Sequence, residues 1–198
     1  MVNRFFAVAI TQLTLLCAGC GGAIHYDYSK EPDPRRGEYI IGPSDHLKIM
    51  VWKYADFSTE TSVRPDGTIT LPLIGDIQVN GSTPSQIKKE VQSRLGAFVK
   101  DESAVVTVAV TDANSYRFTI AGNVEHPGIF VSKYYMTVVE AIALAGGLNK
   151  FAGNRLTLIR HGKRGELRRI PLDYSRINVG DHPEENIVLL PGDTLFVP

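Results

Sequence analysis

Three groups of residues in this 198-residue chain are candidates for chemistry: two cysteines, five histidines and a run of arginines near the C-terminus. Cys17 and Cys20 lie together near the N-terminus, so the body of the chain has neither a disulfide framework nor a thiolate metal cluster. His25, His46, His126, His161 and His182 stand singly beside glycine, proline or charged residues, without the close His/carboxylate spacing of a metal site. Asp66 could pass for a general acid, but Arg64-Pro65-Asp66-Gly67 reads as a turn. No glycine-rich segment has P-loop or dinucleotide-binding spacing, and Gly146-Gly147 lacks a phosphate-binding lysine in the right place. Catalysis, cofactors and metals are therefore not expected. Arg155, Arg160, Lys163, Arg164, Arg168, Arg169 and Arg176 accumulate against only Glu166 and Asp173. Such a cluster is either a solvated hairpin or a contact for an acidic sugar or acidic partner subunit, since arginine forks suit carboxylates.

Twenty-one Lys+Arg balance twenty-one Asp+Glu, and this absence of basic excess argues against a nucleic-acid binder. The 43% hydrophobic content fits a folded chain of one or two domains. Residues 1–19 are expected to be a signal peptide: Arg4 supplies the charged start, and Phe5–Leu16 is an apolar stretch well short of the ~20 residues that span a bilayer. Leu15-Leu16-Cys17-Ala18-Gly19-Cys20 resembles the lipobox of bacterial lipoproteins, with Cys17 where that family usually has leucine. The resemblance implies acylation of Cys20 and, with Gly21 following, sorting to the outer membrane; the alternative is ordinary cleavage near Ala23. Residues 20–37 carry glycine, proline and scattered charge without periodicity and read as a tether.

The body reads as α+β in two small units, 38–112 and 113–198. In the first, Leu47–Trp52 is a strand entered through Gly42-Pro43-Ser44-Asp45. Ser62–Arg64 and Thr68–Leu71 flank a Pro65-Asp66-Gly67 hairpin turn, and Asp76–Val79 is a further strand. Thr83-Pro84-Ser85-Gln86 is a capping box opening a helix with Ile87, Val91, Leu95 and Phe98 on its buried face. Ala104–Val110 reads as a central strand covered on both faces. In the second unit, Tyr116–Ala121 and Ile129–Val131 are strands, and Thr137–Glu140 is another capping box, with Gly146-Gly147 ending its helix. Leu156–Arg160 and Glu166–Pro171 form a hairpin, and Thr194–Val197 closes the chain. Pro43-Ser44-Asp45 and Pro191-Gly192-Asp193 repeat one device: proline, a small residue, then aspartate launching a strand.

Tyr39–Asp45, Val51-Trp52, Val63–Ile69 and Leu71–Gly75 resemble the polysaccharide export domain of bacterial capsule and exopolysaccharide translocons. Ala121–Val124, Pro127-Gly128, Val139–Gly147 and Leu190–Asp193 resemble the SLBB β-grasp module that follows it in that family. The resemblance covers nearly all of residues 38–198. It implies a lipid-anchored outer-membrane protein facing the periplasm, without enzymatic activity, assembling into a homo-oligomeric ring that passes exported polysaccharide. An inner-membrane chain-length regulator or co-polymerase is the implied partner. Larger members carry further β-grasp modules and a C-terminal pore helix. This sequence ends after the first module, so a periplasmic ring or collar is expected, with the outer-membrane opening supplied otherwise. Strand edges such as Tyr116–Ala121 are candidates for pairing between subunits. Two other classes remain open: a β-grasp adaptor binding a carbohydrate or small ligand, and a polysaccharide hydrolase, which would need paired carboxylates in a cleft.

Overall fold

The computed structural model describes residues 26–98, 105–162 and 165–198. The signal-peptide, Cys20, Lys163 and Arg164 readings lie outside these residues. The fold is α+β, with two cores.

In the first unit, β1 (His46–Val51) lies between β2 (Thr59–Ser62) and β5 (Val106–Asp112), both antiparallel to it. A separate ribbon joins β3 (Thr68–Leu71) to β4 (Gly75–Gln78). Helix α1 (Pro84–Leu95) has its capping box in place: Thr83 Oγ1 accepts from the Gln86 amide while the Gln86 side chain accepts from the Thr83 amide. Ile87, Val91 and Leu95 recur every four residues and are buried on one face, where the helix packs against β5.

Three expectations for this unit need correction. Phe98 is 55% exposed, because the helix ends at Leu95 and the following turns carry Phe98 off the buried face. The strand expected as central is an edge: β5 pairs only with β1, and its side chains alternate between core and solvent. A β-branched run can be half-buried as readily as fully buried, and only the neighbouring strands decide which. Ser62–Arg64 and Thr68–Leu71 make a tight turn but no ladder. Buried Val63 donates to Asp45 O and accepts from Ser44 N, which holds this stretch against β1, while β3 turns back on β4. Pro65, lacking an N–H, cannot extend a ladder between them.

The second unit is a five-stranded mixed sheet with the order β7-β6-β10-β8-β9. It comprises β6 (Arg117–Gly122), β7 (Gly128–Val131), β8 (Arg155–His161), β9 (Leu167–Asp173) and β10 (Thr194–Val197), with β10 parallel to β6. Helix α2 (Val138–Leu144), capped by Thr137 and Glu140, buries Val138, Ala141 and Ile142 on the sheet. A further short helix, α3 (Tyr174–Val179), follows β9 and carries no apolar periodicity long enough to be read from sequence. Gly122 is required at its position: it has φ +93°, and a Cβ there would meet the Val197 carbonyl oxygen at 1.9 Å. The Tyr116–Ala121 stretch is not a free edge, because β6 is paired on both sides, by β7 and β10. The open edges of this sheet are β7 and β9.

Residues 26–37, expected as an extended tether, instead fold onto the second unit. Two short 3-10 turns, Tyr28–Lys30 and Pro34–Arg36, are capped by Asp27 and Asp33. Tyr26 and Tyr28 pack against the second core, and the Tyr28 hydroxyl donates to the Pro171 carbonyl at 2.6 Å. Burial of that phenol pushes its pKa up to about 12.

Candidate functional site

The repeated Pro-small-Asp device builds two buried carboxylate centres of one geometry. In each, proline precedes a residue with positive φ (Ser44 at 76°, Gly192 at 84°), as a type II turn requires. The aspartate amide then donates back across the turn, Asp45 to Gly42 O at 3.3 Å and Asp193 to Leu190 O at 3.1 Å. The side chain returns the bond: Asp45 Oδ2 accepts from Gly42 N at 2.8 Å, and Asp193 Oδ2 from Leu190 N at 2.7 Å. Both aspartates are buried.

From this common frame the two carboxylates do different work. Asp45 accepts from the Asn114 and Ser115 amides at 2.7 Å each, from Ser115 Oγ at 2.9 Å and from the Tyr39 hydroxyl. Residues 114–115 link the two units, so Asp45 fastens the first to the start of the second. The joint continues through rings: Tyr39 lies 6.2 Å from Tyr135, which meets Tyr116 edge-on at 4.9 Å. Asp193 takes Arg160 instead. The Arg160 guanidinium bonds both Asp193 oxygens at 2.6–3.1 Å and the Val188 carbonyl at 2.8 Å, and reaches Glu31 Oε2 at 2.6 Å. Burial pushes the Asp193 carboxyl up, against the pull of Arg160. Arg168 closes the cluster on Glu31 Oε1 and on the Tyr26 hydroxyl at 2.6 Å.

The arginine cluster read from sequence is thereby divided. Arg160, expected as part of a surface patch, is 3% exposed and structural. Its position in β8 alternates onto the core face, and Arg168 lies opposite it in β9. Arg168 and Arg169, adjacent in sequence, point to opposite faces of the sheet. Arg176 pairs with Glu185 at 3.2 Å. Arg155 and Arg169 stay exposed. Glu31, the shared partner of Arg160 and Arg168, lies in the segment that reads as a tether; Asp27 and Asp33 as caps are the available signal.

The Arg64-Pro65-Asp66-Gly67 turn holds an exposed polar cluster. Arg64 pairs with Asp66 at 2.7 Å, Asp66 accepts from the Thr68 amide and hydroxyl, and Thr70 donates to Asp76. These bonds, led by the Arg64 guanidinium, hold the Asp66 carboxyl well below the usual range, so this residue is ionised rather than poised as an acid. Among the described residues no group of three His, Cys, Asp or Glu side chains could hold a metal, and no helix is long and apolar enough to cross a membrane.

Comparison with known proteins is consistent with this two-unit layout. Residues 33–111 match the polysaccharide biosynthesis/export protein family, and residues 117–171 match the SLBB domain. The EPS I polysaccharide export outer membrane protein EpsA of Ralstonia nicotianae is 31% identical over 185 residues, covering 80% of this chain and 47% of the relative. The exopolysaccharide production protein ExoF of Rhizobium meliloti is 30% identical, covering 59% of this chain and 30% of the relative. The polysialic acid transport protein KpsD of Escherichia coli is 25% identical, covering 64% and 23%. The chain thus spans less than half the length of these relatives.

Proposed function

This chain belongs to the polysaccharide biosynthesis/export family, with an export domain followed by an SLBB domain, and we propose that it serves as an outer-membrane or periplasmic component of a machine that exports exopolysaccharide or capsule. The observation that carries this reading is the succession of the two domains along one chain, fastened by Asp45, in a protein similar to three named for polysaccharide export, production or transport. In the same reading Cys20 is acylated and anchors the protein to the outer membrane, copies of the chain form a ring, and an inner-membrane chain-length regulator delivers the polymer. Passing a finished polymer breaks no bonds, so no catalytic group is needed.

Deletion of the gene is expected to abolish secreted glycan and re-expression to restore it; undiminished secretion, with no second copy in the genome, contradicts the reading. The basic surface has a narrower test. Of the arginines read from sequence, Arg155 and Arg169 are exposed while Arg160 and Arg168 hold Glu31. The Arg155→Ala/Arg169→Ala variant is therefore expected to keep its unfolding free energy within the ±0.5 kcal/mol usual for surface changes while lowering secretion at least twofold. Normal secretion by that variant would leave these arginines as solvated charge.

A further inference from the structure

The five-stranded sheet is covered on one face. Helix α2, Tyr26 and Tyr28 pack on the side of Phe118, Ile120, Leu158 and Leu195, and the alternate residues line an outer face. Val131 stands opposite Arg117 on one side of that face, and Leu167 opposite His161 on the other. Ile129 and Arg169 lie two residues away along the same edge strands, β7 and β9, and so share the face. Ile129 is 73% exposed, Leu167 61% and Val131 55%. The charge on this sheet is one-sided. Its five strands hold five arginines and one acidic residue, Asp173, which is occupied in capping α3. Arg160 and Arg168 turn to the core face and pair with Glu31. Arg117, Arg155 and Arg169 turn outward, and among the described residues they have no acidic partner. Glu166, just before β9, is already engaged in an interaction of its own.

Where the chain enters this unit fixes what the face can reach. The Tyr26 hydroxyl sits on Arg168, the neighbour of Leu167 and one pair from the end of the β8–β9 ladder. Cys20 is six residues before Tyr26, a span of no more than ~22 Å even when fully extended. An acyl group on Cys20 therefore holds the Leu167 edge of the sheet close to the bilayer surface. Exposed apolar side chains set among unpaired cations match both components of such a surface: the apolar groups enter the headgroup boundary and the guanidinium groups meet phosphate.

We propose that the outer face of the five-stranded sheet rests on the anionic lipid surface to which the chain is anchored, with Ile129, Val131 and Leu167 in the headgroup layer and Arg117 and Arg169 on phosphates. A second copy of the chain fits this face less well, because a two-fold contact would set its arginines against one another with no carboxylate between them. The inference rests on acylation of Cys20 in the reading above and adds to it the surface that meets the membrane.

With Cys17 removed and Cys20 blocked by lipid, an introduced cysteine is the only free thiol of the chain. Ile129→Cys, Leu167→Cys and Leu144→Cys, each at an exposed site, take an environment-sensitive fluorophore; Leu144 lies on α2, across the sheet from the outer face. The full acylated chain is reconstituted in vesicles of equal parts phosphatidylglycerol and phosphatidylethanolamine, or of phosphatidylcholine alone, with spin-labelled headgroups in each. In the anionic vesicles, quenching at positions 129 and 167 is expected to exceed that at 144 by about twofold or more. It should fall at least about twofold in phosphatidylcholine, where the tether is unchanged and the surface charge is gone. Arg117→Glu/Arg169→Glu, which alters only exposed side chains, should lower it likewise without changing the melting temperature. Quenching that is equal at the three positions, or indifferent to lipid charge, overturns the proposal. So does energy transfer between labelled copies that rises with protein density alone, which assigns the face to a second copy. Intact mass separates the two readings. Acylated Cys20 with equal quenching discards only the face, whereas an unacylated chain discards the anchor and the face together; the deletion strain's secretion judges export independently of both.

Discussion

Replacing Arg160 with alanine is expected to destabilise the protein by about 3–5 kcal/mol, the usual cost of stranding buried charge. The guanidinium is the shared partner of two carboxylates whose side chains are 1% and 2% exposed, Asp193 and Glu31. Removing it leaves Asp193 with the Leu190 amide alone and Glu31 with Arg168 and Tyr26. Against a typical total of about 5–15 kcal/mol, that loss is a large fraction of stability. Urea unfolding followed by circular dichroism measures it. The partner variant separates burial from pairing: Arg160→Met combined with Glu31→Gln and Asp193→Asn removes the charges together and is expected to recover more than half the loss, since an apolar or neutral replacement of a buried ion cluster is often tolerated. A loss below about 1 kcal/mol in the single variant would show that Arg160 is not holding residues 26–37 and β10 together.

The acid response of the same cluster follows from the direction in which Glu31 is shifted. Burial pushes its carboxyl up, but hydrogen bonds from Tyr26 and Arg168 and the charges of both arginines outweigh burial and leave it below its ordinary value of 4.5. A carboxyl depressed by folding contributes stability that is present above the unfolded value and lost as pH falls through the folded one. Asp193, raised by burial, works in the opposite sense, its ionised form being disfavoured in the fold. Glu31→Gln isolates the first of these. Between pH 7 and pH values below 4.5 the parent should lose more melting temperature than the variant; an equal or smaller loss in the parent contradicts the assignment.

The second large effect is expected at Asp45. Its carboxylate receives three backbone amides and two hydroxyls, from Tyr39, Gly42, Asn114 and Ser115. Each buried amide stranded without an acceptor costs about 1–3 kcal/mol, so Asp45→Ala should lose at least about 3 kcal/mol. It should also loosen the joint between the units. The parent is expected to melt in one transition and the variant in two, because the β2-β1-β5 sheet and the five-stranded sheet have separate cores. Asp45→Asn keeps one carbonyl oxygen for the two linker amides and should fall between. Calorimetry distinguishes these cases; a single unshifted transition in Asp45→Ala would show that the linker is held by other contacts.

Both helices with capping boxes were legible because their signal is local: Thr83/Gln86 and Thr137/Glu140 need no knowledge of the rest of the fold. Most short strands are legible within a residue or two for the same reason; β2 (Thr59–Ser62) is not, since the expected Ser62–Arg64 shares only Ser62 with it. Partners were not. Ala104–Val110 reads as central by composition, and Tyr116–Ala121 as an available edge, yet strand order makes β5 (Val106–Asp112) the edge and β6 the inner strand. The register of the last hairpin hid the arginines in the same way. Residue alternation says that Arg168 and Arg169 face opposite sides, but only the neighbouring Glu31 decides which of them is paired. The folding of residues 26–37 onto the second unit is hidden by proline and charge, features shared by linkers and by capped 3-10 turns. The repeated Pro-small-Asp device was visible in the sequence as a turn; that one copy fastens two units and the other a buried arginine depends on residues 70 positions away in the first case and 33 in the second.

Export is separated from synthesis most directly by a pulse label. Cells lacking the gene, and the same cells re-expressing it, are given labelled sugar, and the polymer is followed into the periplasm and the medium. In the deletion strain, labelled high-molecular-weight glycan is expected to build up inside the outer membrane, and re-expression should clear it into the medium. Label that reaches the medium at the same rate with and without the protein would contradict a role in export.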